Sequence, residues 1–395
     1  MNQDKRWRVL IVHNGYQQRG GEDSVVESEK ALLERAGHHV AFYGRHNDEV
    51  DRLSRRELLA ESFWSKRTQA DIAQLVTSFQ PDVIHVHNTW PLVSPSVYGV
   101  ARQYRIPVVQ TLHNFRLMCP QAMFLRQGRV CEDCLGKVPW RGVVRACYRD
   151  SAAQTAALAS VVTWHRWRGT YASDVTRFIA LNEFCRDKFV AGGLPAKKMA
   201  IKSNFVDDPG LASEVRQGGL FVGRLSEDKG IGVLLRALKL GGSGCDVIGG
   251  GEMLDAVRMQ LGDRCLGFMA LPDIMARMRR ASYLVMPSLW YENFPRTLVE
   301  AYANGLPVIA SRIGALAELV EEGVTGLLFE PGDADDLATK MAWANAHPER
   351  MLQMGAQARS RYEARYTPEA NLKSLIQIYE DARAALVEGA GAALA

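Results

Sequence analysis

Two carboxylates eight positions apart, Glu292 and Glu300, stand in "WYENFPRTLVEA", a stretch otherwise rich in apolar side chains. Pro295 suits the first turn of a helix, where a missing N–H costs nothing, so Glu292 is expected in a loop and Glu300 on the helix. Leu298, Val299, Ala301 and Tyr302 flank Glu300 and predict its burial. A buried carboxylate is costly unless it accepts good hydrogen bonds. Arg296 could pair with it at i,i+4, but Arg ahead of Glu is the weaker orientation. A carboxylate that accepts two ribose hydroxyls accounts better for its retention.

Other residues suit an anionic ligand. In "FVGRLSEDKGIGVLL", Arg224 and Lys229 are expected between a strand's carboxyl end and a helix start. There an arginine fork and a lysine point charge suit a diphosphate; as bare charges they would read only as solvated cations. In "YQQRGGEDS", Gly20 and Gly21 precede a helix expected to open at Glu22 or Asp23. Such a turn can bring backbone N–H groups and a helix N-terminus to an anion, or simply turn the chain. The glycines of "CDVIGGGEML" allow the same two readings. No GxGxxG fingerprint is present.

Four of the seven cysteines, Cys119, Cys131, Cys134 and Cys147, fall in one loop. A Cys-x2-Cys knuckle with two flanking thiols could hold tetrahedral Zn²⁺. Unrelated reduced thiols and a redox pair are the alternatives. The loop has little apolar periodicity and so needs a staple, which favours structural zinc.

These residues need elements to carry them. Val- and Ile-rich runs at 8–14, 38–44, 82–88, 107–113, 177–182 and 199–205 alternate with helical patterns. After a Gly-rich polar break at 207–219 the alternation restarts, with strands expected at 220–225, 245–250, 264–269, 282–288, 306–313 and 325–331. That order predicts an α/β chain of two Rossmann-like doubly wound domains facing a ligand cleft. The expected division is 1–206, with a Cys-rich loop at 115–150, then 207–372, and a C-terminal helix and tail at 373–395 that could pack back on the first domain.

A chain of 395 residues suits two cores. Its 47% hydrophobic and 23% charged residues are ordinary for a soluble protein, and a net charge of +4 gives no pull toward nucleic acid, which is not expected as a partner. The apolar start is short for a signal peptide, and no run approaches the ~20 residues of a membrane span. A cytoplasmic location with reduced thiols follows as the expectation.

The motifs "GRLSEDKG" and "PSLWYENFPRTLVEAYANGLPVIASRIGALAELVEEGVTGLLFEPGD" (287–333), with "GGEDSVVESEKALLERAGHHV", "DVIHVHN" and "TLHNF" in the first half, resemble family 4 of the retaining glycosyltransferases. The resemblance spans nearly the whole chain and implies the GT-B fold. It implies that Arg224 and Lys229 hold a nucleotide sugar's diphosphate, Glu300 its ribose and Glu292 its sugar hydroxyls. Asn293 and Phe294 would approach sugar and phosphate by their backbone, Gly21 would line the phosphate side, and His113 would sit near the reacting centre. "GGGE" at 249–252 and Asn114 after His113 depart from the family pattern, which leaves UDP and GDP both open as the donor's nucleotide.

The expected reaction is hexosyl transfer to a glycan or polyprenyl-linked acceptor, in polysaccharide biosynthesis. The departing phosphate takes the acceptor's proton on the same face, with no catalytic metal. A non-catalytic nucleotide-sugar binder or a phosphorylase-like relative is the alternative. Trp164, Arg166, Trp167 and Arg168, at the end of a small-apolar helix in 151–171, suit either the inner membrane surface or a solvated basic end.

Overall fold

The computed structural model describes residues 5–18, 20–211, 215–241 and 244–392. Part of the 207–219 break and the last residues of the C-terminal tail lie outside them. By its contacts the chain forms two compact units. One comprises Met1–Ala122, Asp133–Lys202 and Leu372–Ala395; the other comprises Met123–Glu132 and Ser203–Asn371.

The strands in chain order are β1 (Arg8–Gly15), β2 (His39–His46), β3 (Val83–Val86), β4 (Val108–Thr111), β5 (Leu125–Arg126), β6 (Arg129–Val130), β7 (Arg177–Ala180) and β8 (Met199–Ile201). They continue as β9 (Gly219–Val222), β10 (Cys245–Ile248), β11 (Cys265–Gly267), β12 (Tyr283–Met286), β13 (Val308–Ser311) and β14 (Gly326–Phe329). The first unit's sheet has the order β2-β1-β3-β4-β7-β8 and the second's β11-β10-β9-β12-β13-β14. Every pair in both sheets is parallel.

Both central strand sets are buried on two faces, as continuous apolar runs such as Val9–Val12 and Tyr283–Met286 require. In each order the chain leaves the middle of the sheet in opposite directions, between β1 and β3 or between β9 and β12. Ligands bind outside the carboxyl ends of strands at such a switch point.

The helix after Thr367, Pro368–Ala392, inserts Leu375, Ile378, Tyr379 and Ala382 into the first unit's core beside Trp7, Val9 and Val109. The Cys-rich loop does not stay with one unit. Its hairpin, β5–β6, groups with the second, where the Tyr291 ring meets Phe124 edge-on and the Tyr291 hydroxyl donates to Glu132. Two-residue strands leave no periodic signal, so this hairpin was not foreseen.

Candidate functional site

In the second unit, the segment after β9 carries Arg224 and Lys229 to the helix Ile231–Lys239. Gly230 precedes that helix with φ +70, and a Cβ there would collide with the carbonyl of Pro287. Only glycine lets this loop lie against the one after β12. Leu289 N–H then donates to Asp228 O and joins the two loops.

The consequence is a contact that the separate roles of these residues did not suggest. Lys229 Nζ donates to Glu292 Oε1 at 2.5 Å, and Ser288 Oγ donates to the same oxygen at 2.8 Å. Glu292 is 5% exposed, so its charge is supported by this ammonium and hydroxyl. The ammonium also stands 5.2 Å from the Trp290 ring centroid. Arg224 behaves differently. Its side chain is 60% exposed and is steadied by Asp228 and Ser226 at 2.8 and 3.1 Å.

Glu300 is buried on the helix Arg296–Ala303, which follows Pro295 as expected. Burial raises its carboxyl above the usual range, and Arg296 pulls it partly back. The i,i+4 pair exists at 3.4 Å, but Arg296 Nε makes no hydrogen bond. It is a weak pair, as its orientation predicts. Asn293 is buried beside Glu292, and Phe294 packs edge-on against Tyr366 at 5.8 Å. Gly249 and Gly251 have positive φ, and Cβ atoms there would collide with the carbonyls of Gly223 and Leu225. These two glycines serve loop-to-loop packing.

In the first unit, β1 leads through Tyr16 to the helix Gly21–Arg35, one residue earlier than expected. Asp23 caps that helix by accepting from Gly20 N–H at 2.8 Å, and its other oxygen meets His13 Nε2 at 2.8 Å. A Cβ at Gly21 would meet nothing within 4 Å, so the fold itself does not demand glycine there.

His113 follows β4. Its ring stacks on His87, and its Nε2 lies 2.9 Å from His87 Nδ1. Burial, reinforced by His13, Lys202 and His85 and opposed by Glu29, pushes its pKa down to about 3. The imidazole is therefore neutral at ordinary pH.

Behind it lies a buried cluster that residue spacing hardly announces. Glu29 Oε2 accepts from Lys202 Nζ at 2.7 Å, and Glu29 Oε1 lies 3.0 Å from His85 Nδ1. Glu29, His85 and His87 are close enough to share a cation. Lys202 already supplies one, and the His85 nitrogens meet Tyr379 and Thr111 hydroxyls at 2.8 Å each. The arrangement fits an internal ion pair better than a metal.

Of the four clustered cysteines, Cys119 and Cys134 are buried and Cys131 and Cys147 half-buried, with no disulfide among the described residues. Cys134 and Cys147 approach Gly142. A Cβ on that residue would lie 3.7 Å from Cys134 Sγ and 3.0 Å from Pro120, the neighbour of Cys119, and Cys147 N–H donates to its carbonyl. Ala122, Phe124, Gln127, Ala146, Arg149 and Asp150 all have positive φ, a conformation that non-glycine residues hold only when something fixes them. Cys131 lies on the hairpin segment that groups with the second unit.

The face of the helix Ala152–Trp167 corrects one detail. Trp164 and Trp167 are exposed, but His165 is buried and Arg166 turns inward to the carbonyls of Gly192 and Lys137. The same face is lined by Val138 and by Trp140 and Val143 of the short helix Trp140–Val144, and Trp167 is 78% exposed. No helix among the described residues is long and apolar enough to cross a membrane.

Two parallel-sheet Rossmann-like units, with charged loops at the strand carboxyl ends of the second, define the GT-B class. Residues 216–361 match the family described as glycosyl transferases group 1, and residues 20–204 match the glycosyl transferase 4-like domain. The chain belongs to the group 1 glycosyltransferases.

An uncharacterized 42.6 kDa protein in the cps region of Klebsiella pneumoniae is 22% identical over 79% of this chain and 86% of its own. The amylovoran biosynthesis glycosyltransferase AmsK of Erwinia amylovora is 26% identical over 53% of this chain and 59% of its own. The structure of Anabaena HepE in complex with UDP superposes with a TM-score of 0.65 at 17% identity, over 94% of this chain and all of that one. That likeness speaks to the fold alone.

Proposed function

We propose that this protein transfers a hexosyl group, with retention of configuration, from a nucleoside-diphosphate sugar to a glycan or lipid-linked saccharide in cell-surface polysaccharide assembly. The carrying observation is the Lys229–Glu292–Ser288 cluster, with Arg224 on the same loop as Lys229 and Glu300 buried on the helix that follows Glu292. Lys229 and Arg224 place positive charge where a leaving diphosphate becomes more negative, so they stabilise the transition state more than the ground state. Glu300 accepts the ribose hydroxyls, and Glu292 accepts sugar hydroxyls while sharing Lys229. Gly21 lets a phosphate approach the first helix, and the backbone at Asn293 and Phe294 meets sugar and phosphate. Neutral His113 offers a hydrogen bond near the reacting centre, and the departing phosphate oxygen takes the acceptor's proton. The polysaccharide-related names of two relatives and the UDP bound to HepE support the substrate class.

In this reading the protein works at the cytoplasmic face of a membrane; the exposed Trp140, Trp164 and Trp167 support it, since their amphipathic rings suit a bilayer interface. Release of nucleoside diphosphate should require both donor and glycan acceptor, and should be faster with a lipid-linked acceptor in anionic vesicles than with the soluble glycan. Release with donor and inorganic phosphate alone would instead favour a phosphorylase. Protein that stays unbound by the vesicles would remove the membrane reading.

Cys119, Cys131, Cys134 and Cys147 hold one structural Zn²⁺ in this reading. The support is the burial of Cys119 and Cys134, the approach of Cys134 and Cys147 to Gly142 and a loop with several residues in left-handed conformations and little core of its own. Elemental analysis of protein purified without added metal should find about one zinc per chain. Cys131→Ser should release it and loosen residues 115–150, because metal affinity there is folding free energy. Metal-free protein with all four thiols titratable in the native state would leave them as separate cysteines.

A further inference from the structure

We propose that the first unit contains a binding site for an anionic acceptor, in which Arg116 receives a carboxylate or phosphate group and Glu22 receives a neighbouring hydroxyl. The inference rests on the transferase reading and specifies the chemical class of its acceptor.

The site is built around Asn114, one of the departures from the family pattern. Its Nδ2 donates to Glu22 Oε2 at 3.3 Å, and its Oδ1 accepts from the backbone N–H of Arg116 at 3.0 Å. The Tyr16 hydroxyl donates to the same Glu22 oxygen at 2.9 Å. One carboxylate oxygen is thus fully engaged, and two elements are tied together: the start of the first helix and the loop after β4. Phe115 fixes that loop from the other side, buried against Phe189 at 5.3 Å.

Polar atoms remain that the protein does not answer. Glu22 Oε1, Arg116 Nε and Arg116 Nη1 are all shielded from solvent and have no hydrogen-bond partner. The Arg116 guanidinium stands 5.4 Å from the Tyr148 ring centroid, which offers its face but no oxygen. A guanidinium cannot shed its proton to escape burial, so an unpaired one is costly. Nε and Nη1 each form a fork with Nη2, and either fork matches a carboxylate or phosphate.

Arg116, Asn114 and His113 line one cavity together with His87 and Trp90. An oxyanion held there lies beside the imidazole already assigned to the reacting centre. Glu22 supports the other half. Burial raises its pKa to about 7, despite Tyr16 and Arg116 pulling it down, so its free oxygen can accept from a sugar hydroxyl or donate to one near neutrality. A ligand that answers both groups carries a hydroxyl as well as an anionic oxygen, as a uronic acid or a sugar phosphate does.

The test is calorimetric titration of the full-length protein, saturated with UDP to cover the donor's diphosphate site, with glucuronate, inorganic phosphate and glucose. At least one anion should bind and glucose should not. Arg116→Met keeps an unbranched apolar stem but removes the guanidinium fork, and should weaken that anion about 10- to 100-fold. Arg116→Lys should fall between the two, and the affinity for UDP should be unchanged in both. Glu22→Gln should weaken glucuronate and leave phosphate alone. Glucuronate binding points to an acidic sugar and phosphate binding to a phosphorylated acceptor. Anion binding that survives Arg116→Met, glucose binding as well as glucuronate, or no anion binding at all would overturn the proposal. Failure of both UDP and GDP to bind would count against the donor reading instead, and loss of the anion in Arg116→Met would still assign it to this site rather than to an uncovered diphosphate site.

Discussion

Lys202→Met should cost the first unit about 3–5 kcal/mol, the range for breaking one side of a buried ion pair. Glu29 is 1% exposed and Lys202 3%, so neither charge can fall back on water. Burial pushes the Glu29 carboxyl up, but Lys202 and then His85 pull harder, and the net is a group held well below its usual range. Without the ammonium, Glu29 would be a buried carboxylate facing two histidines. The double variant Glu29→Leu with Lys202→Met should lose less than the sum of the single changes, because it leaves no orphaned charge.

The pH dependence follows from the same cluster. Glu29 has a depressed folded pKa, so its contribution is present above its ordinary value of 4.5 and is lost as the pH falls below it. His87 and His113 are also depressed, chiefly by burial. The folded state keeps them neutral while the unfolded chain takes up protons below 6.5, so stability falls from that point, and for His113 until about pH 3. Both effects act in one direction. Urea unfolding of the first unit should show falling midpoints at pH 7.5, 6 and 4.5. A variant as stable as the parent, or a parent more stable at pH 5 than at pH 7.5, would contradict this account of the cluster.

That cluster marks where the sequence stops being informative. All twelve strands of the two sheets were legible, because each falls in a short, mostly apolar run bounded by turn residues. The helix bearing Glu300 was legible too, since Pro295 starts it and an apolar surround buries it. Glu29 and Lys202 are 173 residues apart, and only the parallel order of β1, β3, β4, β7 and β8 brings them together. Glu29 had one weak signal, a carboxylate on the same helix face as Val25, Val26, Leu32 and Leu33. Arg116 had none, because an arginine two residues beyond Asn114 reads as solvated until its neighbours are known. Lys229 and Glu292 were both expected in the site, but as ligands of different parts of the donor. Their contact spans 63 positions and depends on Gly230 admitting one loop against another.

That contact sets the largest catalytic effect. Lys229→Met should lower kcat and kcat/KM together by about 10²–10³-fold, the scale for removing one preorganised group that meets developing charge. The ammonium has two tasks here. In the proposed reaction it faces the leaving diphosphate, and in the structure it holds Glu292, whose oxygen it shares with Ser288. Removing it leaves a carboxylate at 5% exposure with a single hydroxyl donor, so the donor's sugar should also be held less well. Arg224→Ala should cost less, because that side chain is 60% exposed and solvent already screens it. Glu300→Ala separates binding from chemistry. It should weaken nucleoside diphosphate binding by about 1.5–3 kcal/mol through the lost ribose acceptor, while a saturating donor restores much of the turnover. Steady-state kinetics of the three variants, with calorimetric titration of the nucleotide, give the ranking. Full turnover by Lys229→Met at saturating donor would withdraw its leaving-group role, and unchanged nucleotide affinity in a folded Glu300→Ala would withdraw the ribose assignment.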